Sequence, residues 1–162
     1  MKKVSFFFWA LSFLLIKNIF SQDTLVLQPG PEGKDANIWS IHPDNSFGDD
    51  PSFKVMGWTF YGEPGKVRSF IDFDLSAIPP SGTILDAKLS LYYVCLQPTY
   101  IPQTGENESY LQLITSEWEE ETATWNNPPE TTIEDQVYLP TSTEPEQDYT
   151  NIDVTIPISK MY

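Results

Sequence analysis

The chain has one cysteine and one histidine in 162 residues. A lone Cys95 excludes an internal disulfide framework and a cysteine-based zinc site. It stands in the apolar run LYYVC, where a buried, inert thiol is the expectation. With His42 alone there is no histidine cluster for a transition metal, and a surface imidazole is the simplest reading. Positive charge is scarce too. Three of the nine bases lie before Asp23 and none of the 23 acids does, so residues 22–162 carry a net charge of −17. That balance excludes nucleic-acid binding, which needs cations to displace counterions from phosphates. It also excludes electrostatic docking on an anionic leaflet. No sustained 3.6-residue apolar period runs through the mature part, which argues against helices.

The longest apolar run is Val4–Ile16, VSFFFWALSFLLI, directly behind Lys2 and Lys3. Thirteen residues are too few to cross a hydrocarbon core of about 30 Å but suit the h-region of a signal peptide. Residues 1–21 therefore read as a signal-peptide helix cut after Ser21, with no stable membrane insertion afterwards. The expectation is a secreted, extracellular domain over residues 22–162.

What the chain has in quantity is proline, glycine and short alternations. Fourteen prolines and eight glycines punctuate segments of period two. Strands are expected at Thr24–Gln28, Asn37–Ile41, Val67–Leu75, Ile84–Val94, Tyr110–Thr115, Val137–Leu139 and Ile152–Val154. In the third, Val67, Ser69, Ile71, Phe73 and Leu75 share the expected core face. Arg68, Asp72 and Asp74 share the outer one. Period two gives each strand one apolar side, which suits antiparallel sheets stacked face to face. The fold class expected is all-β, a β-sandwich or barrel. Long loops are expected at 42–66, 95–108 and 116–135. In the last, Trp118 and Trp125 form a small core beneath the loop, and Thr122 and Thr124 brace its turns.

Three blocks resemble one family. They are Thr24–Ile38 with Asn45-Ser46-Phe47-Gly48, then Arg68–Pro79 running on to Tyr92, then Trp118–Pro129. Together they are similar to the disaggregatase-related (DNRLRE) domain, also grouped as carbohydrate-binding module family 96. The resemblance implies a jelly-roll-like antiparallel β-sandwich, exported and non-catalytic, attached to polysaccharide-degrading or cell-surface machinery. Some members are associated with acidic polysaccharides such as alginate. Two departures stand out. Asp72 occupies a place where a basic or neutral residue is more usual. After Asn151–Thr155 the family continues through a tryptophan-containing turn and further strands, so a C-terminally truncated product is the expectation.

A glycan-holding module needs aromatic faces. Trp39, Trp58, Tyr61, Tyr92 and Tyr100 lie outside the expected core, and Trp58 and Tyr61, in the glycine-flanked GWTFYG, are the chosen pair. Calcium is the metal that an acidic, histidine-poor chain could take, with Asp35, Asp49 and Asp50 as candidate ligands. Solvated loop acids explain the same residues. No nucleophile elbow, P-loop or dinucleotide fingerprint is present, and among 23 acids paired carboxylates arise by chance. The expected partner is a polysaccharide or cell-surface glycan. A structural or adhesive module without glycan affinity, or a fragment of a polysaccharide lyase or hydrolase, are the alternatives.

Overall fold

The computed structural model describes residues 22–30, 33–94 and 105–162. The expected signal peptide, Cys95 and Tyr100 lie outside the described residues. Among the described residues, seven strands and one helix follow in order: β1 Lys34–Trp39, β2 Met56–Phe60, β3 Glu63–Asp72, β4 Lys88–Leu91, β5 Ser109–Ile114, β6 Thr131–Leu139, β7 Tyr149–Asp153 and α1 Thr155–Met161. All pairing is antiparallel, in three sheets ordered β1-β3-β2, β4-β7 and β5-β6. The fold is all-β and of the sandwich type. The helix is short, and among the described residues no helix is long and apolar enough to cross a membrane.

Register decides which side of β3 is buried. Ala36 of β1 stands opposite Phe70, and Ile38 opposite Arg68. Ala36, Ile38 and Phe70 therefore share one face, and Ile38, Phe70 and Ala123 form the buried cluster. Ile114 from the end of β5 and the two indoles Trp118 and Trp125 pack against it. Here the expected core face of β3 needs correction. Phe70, buried to 8% exposure, lies on the side of Arg68 and Asp72, which the alternation had marked as outer. Val67, at 2% exposure, is buried on the opposite side. Both faces are covered because loops lie on both: residues 116–127 over Phe70, and residues 42–55 over Asn37 and Ser69. The strand ends at Asp72, so Phe73 and Leu75 lie half-buried beyond it.

Other expectations fared variously. Thr24–Gln28 forms no ladder, and Leu25, Val26 and Leu27 are exposed. Strand propensity makes no sheet without an edge to pair with, and the β1 edge already receives Phe47 through an isolated bridge at Asn37. β2 was expected to be loop, and β6 begins at Thr131, inside another expected loop. The expected local bonds are present: Asp74 Oδ1 accepts from the Ser76 amide at 2.8 Å, and Thr124 Oγ1 accepts from the Asn127 amide at 3.1 Å.

Candidate functional site

β2 and β3 form a hairpin closed by Phe60 opposite Glu63. Its two turn residues, Tyr61 (φ 52°) and Gly62 (φ 94°), are both left-handed. That is the backbone of a type I′ turn, whose twist matches that of the flanking strands. Glycine adopts it freely, whereas a bulky residue does so at a steric cost. Tyr61 is nevertheless there, wholly exposed at the tip. Trp58 lies behind it, opposite Gly65 and 54% exposed.

The root of the hairpin is anchored by other aromatics. The Trp39 ring lies 5.6 Å from Phe60 and 5.4 Å from Phe47. Phe60 rests on Gly65, where an added Cβ would meet its Cδ2 at 2.5 Å. Lys54 Nζ stands 5.1 Å above the Trp39 ring, and His42 lies 6.4 Å from it. Trp39 is therefore a packing residue. Tyr92 is exposed just past the end of β4, beside the β4–β7 pair. Of the candidate aromatics, the structure brings Trp58 and Tyr61 together on one hairpin and leaves the others apart.

Asp35, Asp49 and Asp50 border the same cleft. With Pro29, Gly48 and Ile71 they line a cleft of about 280 Å³. Asp50 is already engaged, its carboxylate accepting from Lys54 Nζ at 2.6 Å and from Ser52 Oγ at 2.9 Å. Burial by itself would raise the Asp50 carboxyl, but the Lys54 and Ser52 hydrogen bonds outweigh it and hold the group below the ordinary carboxylate range. Asp35 goes the other way: burial, then the Glu120 and Asp50 carboxylates, push it upward. Among the described residues no group of three or more His, Cys, Asp or Glu side chains is placed to hold a metal ion. The three aspartates thus share a cleft without forming a cage.

Two basic residues escaped the sequence reading. Lys34, Lys54, Lys88 and Lys160 are all in ion pairs. Among the described residues this leaves Lys66 and Arg68, two apart on β3, as the bases outside ion pairs. Arg68 lies 5.1 Å over the Trp125 ring. Their i, i+2 spacing in a strand was the available signal, since it places both on one face.

The three motif blocks converge in space. Lys34 Nζ donates to the Trp118 carbonyl at 2.8 Å, and Asp35 N donates to Glu120 Oε1 at 2.6 Å. Ser46 Oγ donates to the Glu120 carbonyl at 2.6 Å, and Asn126 Nδ2 donates to Asp44 Oδ1 at 2.8 Å. Phe70 and Trp118 meet at 5.8 Å. The profile of carbohydrate-binding module family 96 matches residues 30–162. The chain belongs to carbohydrate-binding module family 96. Comparison with curated proteins and with solved structures returned no match. In this family 96 chain, the blocks are a packing unit that knits two loops to one sheet. The hairpin tip lies outside that unit.

Proposed function

We propose that this family 96 module is exported, holds a polysaccharide chain at the tip of the β2–β3 hairpin, and does not turn it over. In this reading it serves as an accessory part of polysaccharide-degrading or cell-surface machinery. The observation that carries the proposal is Tyr61, an aromatic residue in a left-handed backbone with its ring wholly in solvent. A position that strains the chain and packs nothing gains no stability from its side chain. Strain of this kind concentrates at ligand-contacting sites. Trp58 and Tyr61 supply apolar ring faces for sugar C–H groups, while their polar edges stay wet. At a net charge of −17, residues 22–162 repel a polyanion over most of their surface. Neutral chains are favoured, and Lys66 and Arg68 mark where an acidic sugar would be tolerated.

Affinity electrophoresis through gels containing neutral or acidic polysaccharides, each with and without calcium, tests the proposal. Retardation by at least one polysaccharide is expected. In that gel, W58A/Y61A should lose affinity by about tenfold or more, corresponding to ~1.4 kcal/mol. Migration unaffected by every glycan would favour an adhesive or structural module. Shortening of a glycan would favour an enzyme.

A further inference from the structure

The outward face of β5–β6 carries an exposed row of aromatic and amide side chains. Register places Tyr110 opposite Tyr138 and Leu111 opposite Val137. Leu111, Leu113, Val137 and Leu139 turn inward, whereas both tyrosines stay 53% exposed. Their rings lie 5.5 Å apart and inclined at 51°. On the same face, Gln112 Nε2 donates to Gln136 Oε1 at 2.9 Å, and Thr131 Oγ1 donates to Gln112 Oε1 at 3.0 Å.

The register of Tyr110 with Tyr138 and Leu111 with Val137, carried one step further, sets Gln112 beside Gln136. The ladder slips between Leu111 and Leu113, so residues 133–136 of β6 stand against Gln112 alone. Asp135 takes a left-handed φ of 55° within this bulge. Lys160, near the end of α1, holds it from outside, 2.9 Å from Glu134 Oε1 and 2.6 Å from Asp135 Oδ2. Alternation puts Gln136 on the tyrosine side; bulges bend a strand and re-aim its side chains, and this one brings Thr131 next to Gln112. Tyr138 also forms part of a groove of about 440 Å³ that reaches β7 through Asp148, Tyr149 and Asp153.

We infer that this face is a second contact surface for a neutral glycan. The two rings would cover the apolar faces of pyranose units. The Gln136 amide hydrogens and the two phenol hydroxyls would bond to sugar hydroxyls. The inference rests on the glycan-binding reading and adds a site and a ligand charge to it. Tyr110, Tyr138, Gln112, Gln136 and Thr131 are uncharged. Of the bases near them, Lys160 is occupied by two carboxylates and Lys88, beside Asp153, by two more. Glu134, Asp135, Asp148 and Asp153 surround the row, so a uronate or sulfated chain is repelled. A cross-strand pair that merely braced the ladder would account for the ring contact. It would not require the hydrogen-bonded amides laid alongside.

Affinity electrophoresis in galactomannan, xyloglucan, mixed-linkage β-glucan and polygalacturonate gels, using the full chain, provides the test. Retardation by at least one neutral polysaccharide is expected. In that gel Y110A/Y138A should lose about tenfold in affinity and Q136A about threefold, with unchanged circular dichroism. If the double variant fails to fold, Q136A decides alone. Tyrosine and Gln136 variants within twofold of the parent, while W58A/Y61A loses binding, would overturn this surface and leave the hairpin intact. Loss in the tyrosine variant with W58A/Y61A unaffected would support this surface and remove the hairpin site. Retardation by polygalacturonate alone, or by none of the four, would overturn the inference.

Discussion

Gly48 has no side chain where Glu120 needs the room. A Cβ at Gly48 would lie 2.9 Å from Glu120 Cβ and 3.0 Å from its carbonyl oxygen. That carbonyl also accepts the Ser46 hydroxyl, so a larger residue at 48 would push the 42–55 loop from the 116–127 loop. Backbone lies on the other side of the contact and cannot rotate aside. G48A should therefore cost about 1–3 kcal/mol, the range for overpacking, read as a lowered midpoint in urea. A midpoint unchanged within error would mean that the loops are not docked as described. The motif Asn45-Ser46-Phe47-Gly48 was recognisable as a pattern. Its cause, contact with a residue 72 positions later, was not visible along the chain.

Among the elements, the β2–β3 hairpin is where stability and binding pull apart. Asparagine accepts a left-handed backbone better than tyrosine, and Asn-Gly is a favoured type I′ pair. Y61N should stabilise the hairpin by up to about 1 kcal/mol and raise Tm. The same substitution should weaken retardation in the glycan gel, because the ring is gone. A lower Tm for Y61N would show that Tyr61 packs, and would undercut its assignment to the ligand. The sequence reading named Trp58 and Tyr61 but took their segment for loop. Gly57 and Gly62 bracket only four residues, too short a run for alternation to declare itself. It is the pairing with β3 that makes the segment a strand. β3 shows the opposite difficulty. Period two implies one buried face, whereas loops bury both, so Phe70 is buried on the side of Arg68 and Asp72 that the alternation marks as outer.

On the scale of the whole molecule, the acids set how stability varies with pH. Asp35 is raised, so its ionisation penalises the fold, and that penalty disappears as pH falls through its folded pKa. Asp50, Asp74 and Asp153 are lowered. What they contribute is present above the ordinary carboxylate pKa of about 4 and is lost as pH falls through their folded values. Relief comes first on acidification and loss second. Tm should therefore rise as pH falls through the folded pKa of Asp35 and drop once pH goes below the ordinary carboxylate range of about 4. D35N should raise Tm at pH 7 and converge with the parent in acid. D50N should lower Tm at pH 7 and flatten the acid limb. Calorimetry across a pH series checks both, and a D35N effect that grew in acid would contradict the sign.

Alternating apolar residues, proline and glycine punctuation and three spaced blocks were enough to determine an antiparallel all-β chain and its family. Those features act over a few residues, so they can be read along a line. The tertiary structure alone decided which aromatics are anchors and which are free. Trp39 is held by Phe47 and Phe60, while Tyr61 touches nothing comparable. It also decided that four lysines are neutralised and that Tyr110, Tyr138, Gln112 and Gln136 form one row. Each of these depends on partners brought together by register, bulge or loop docking, and such distances are set by packing in three dimensions.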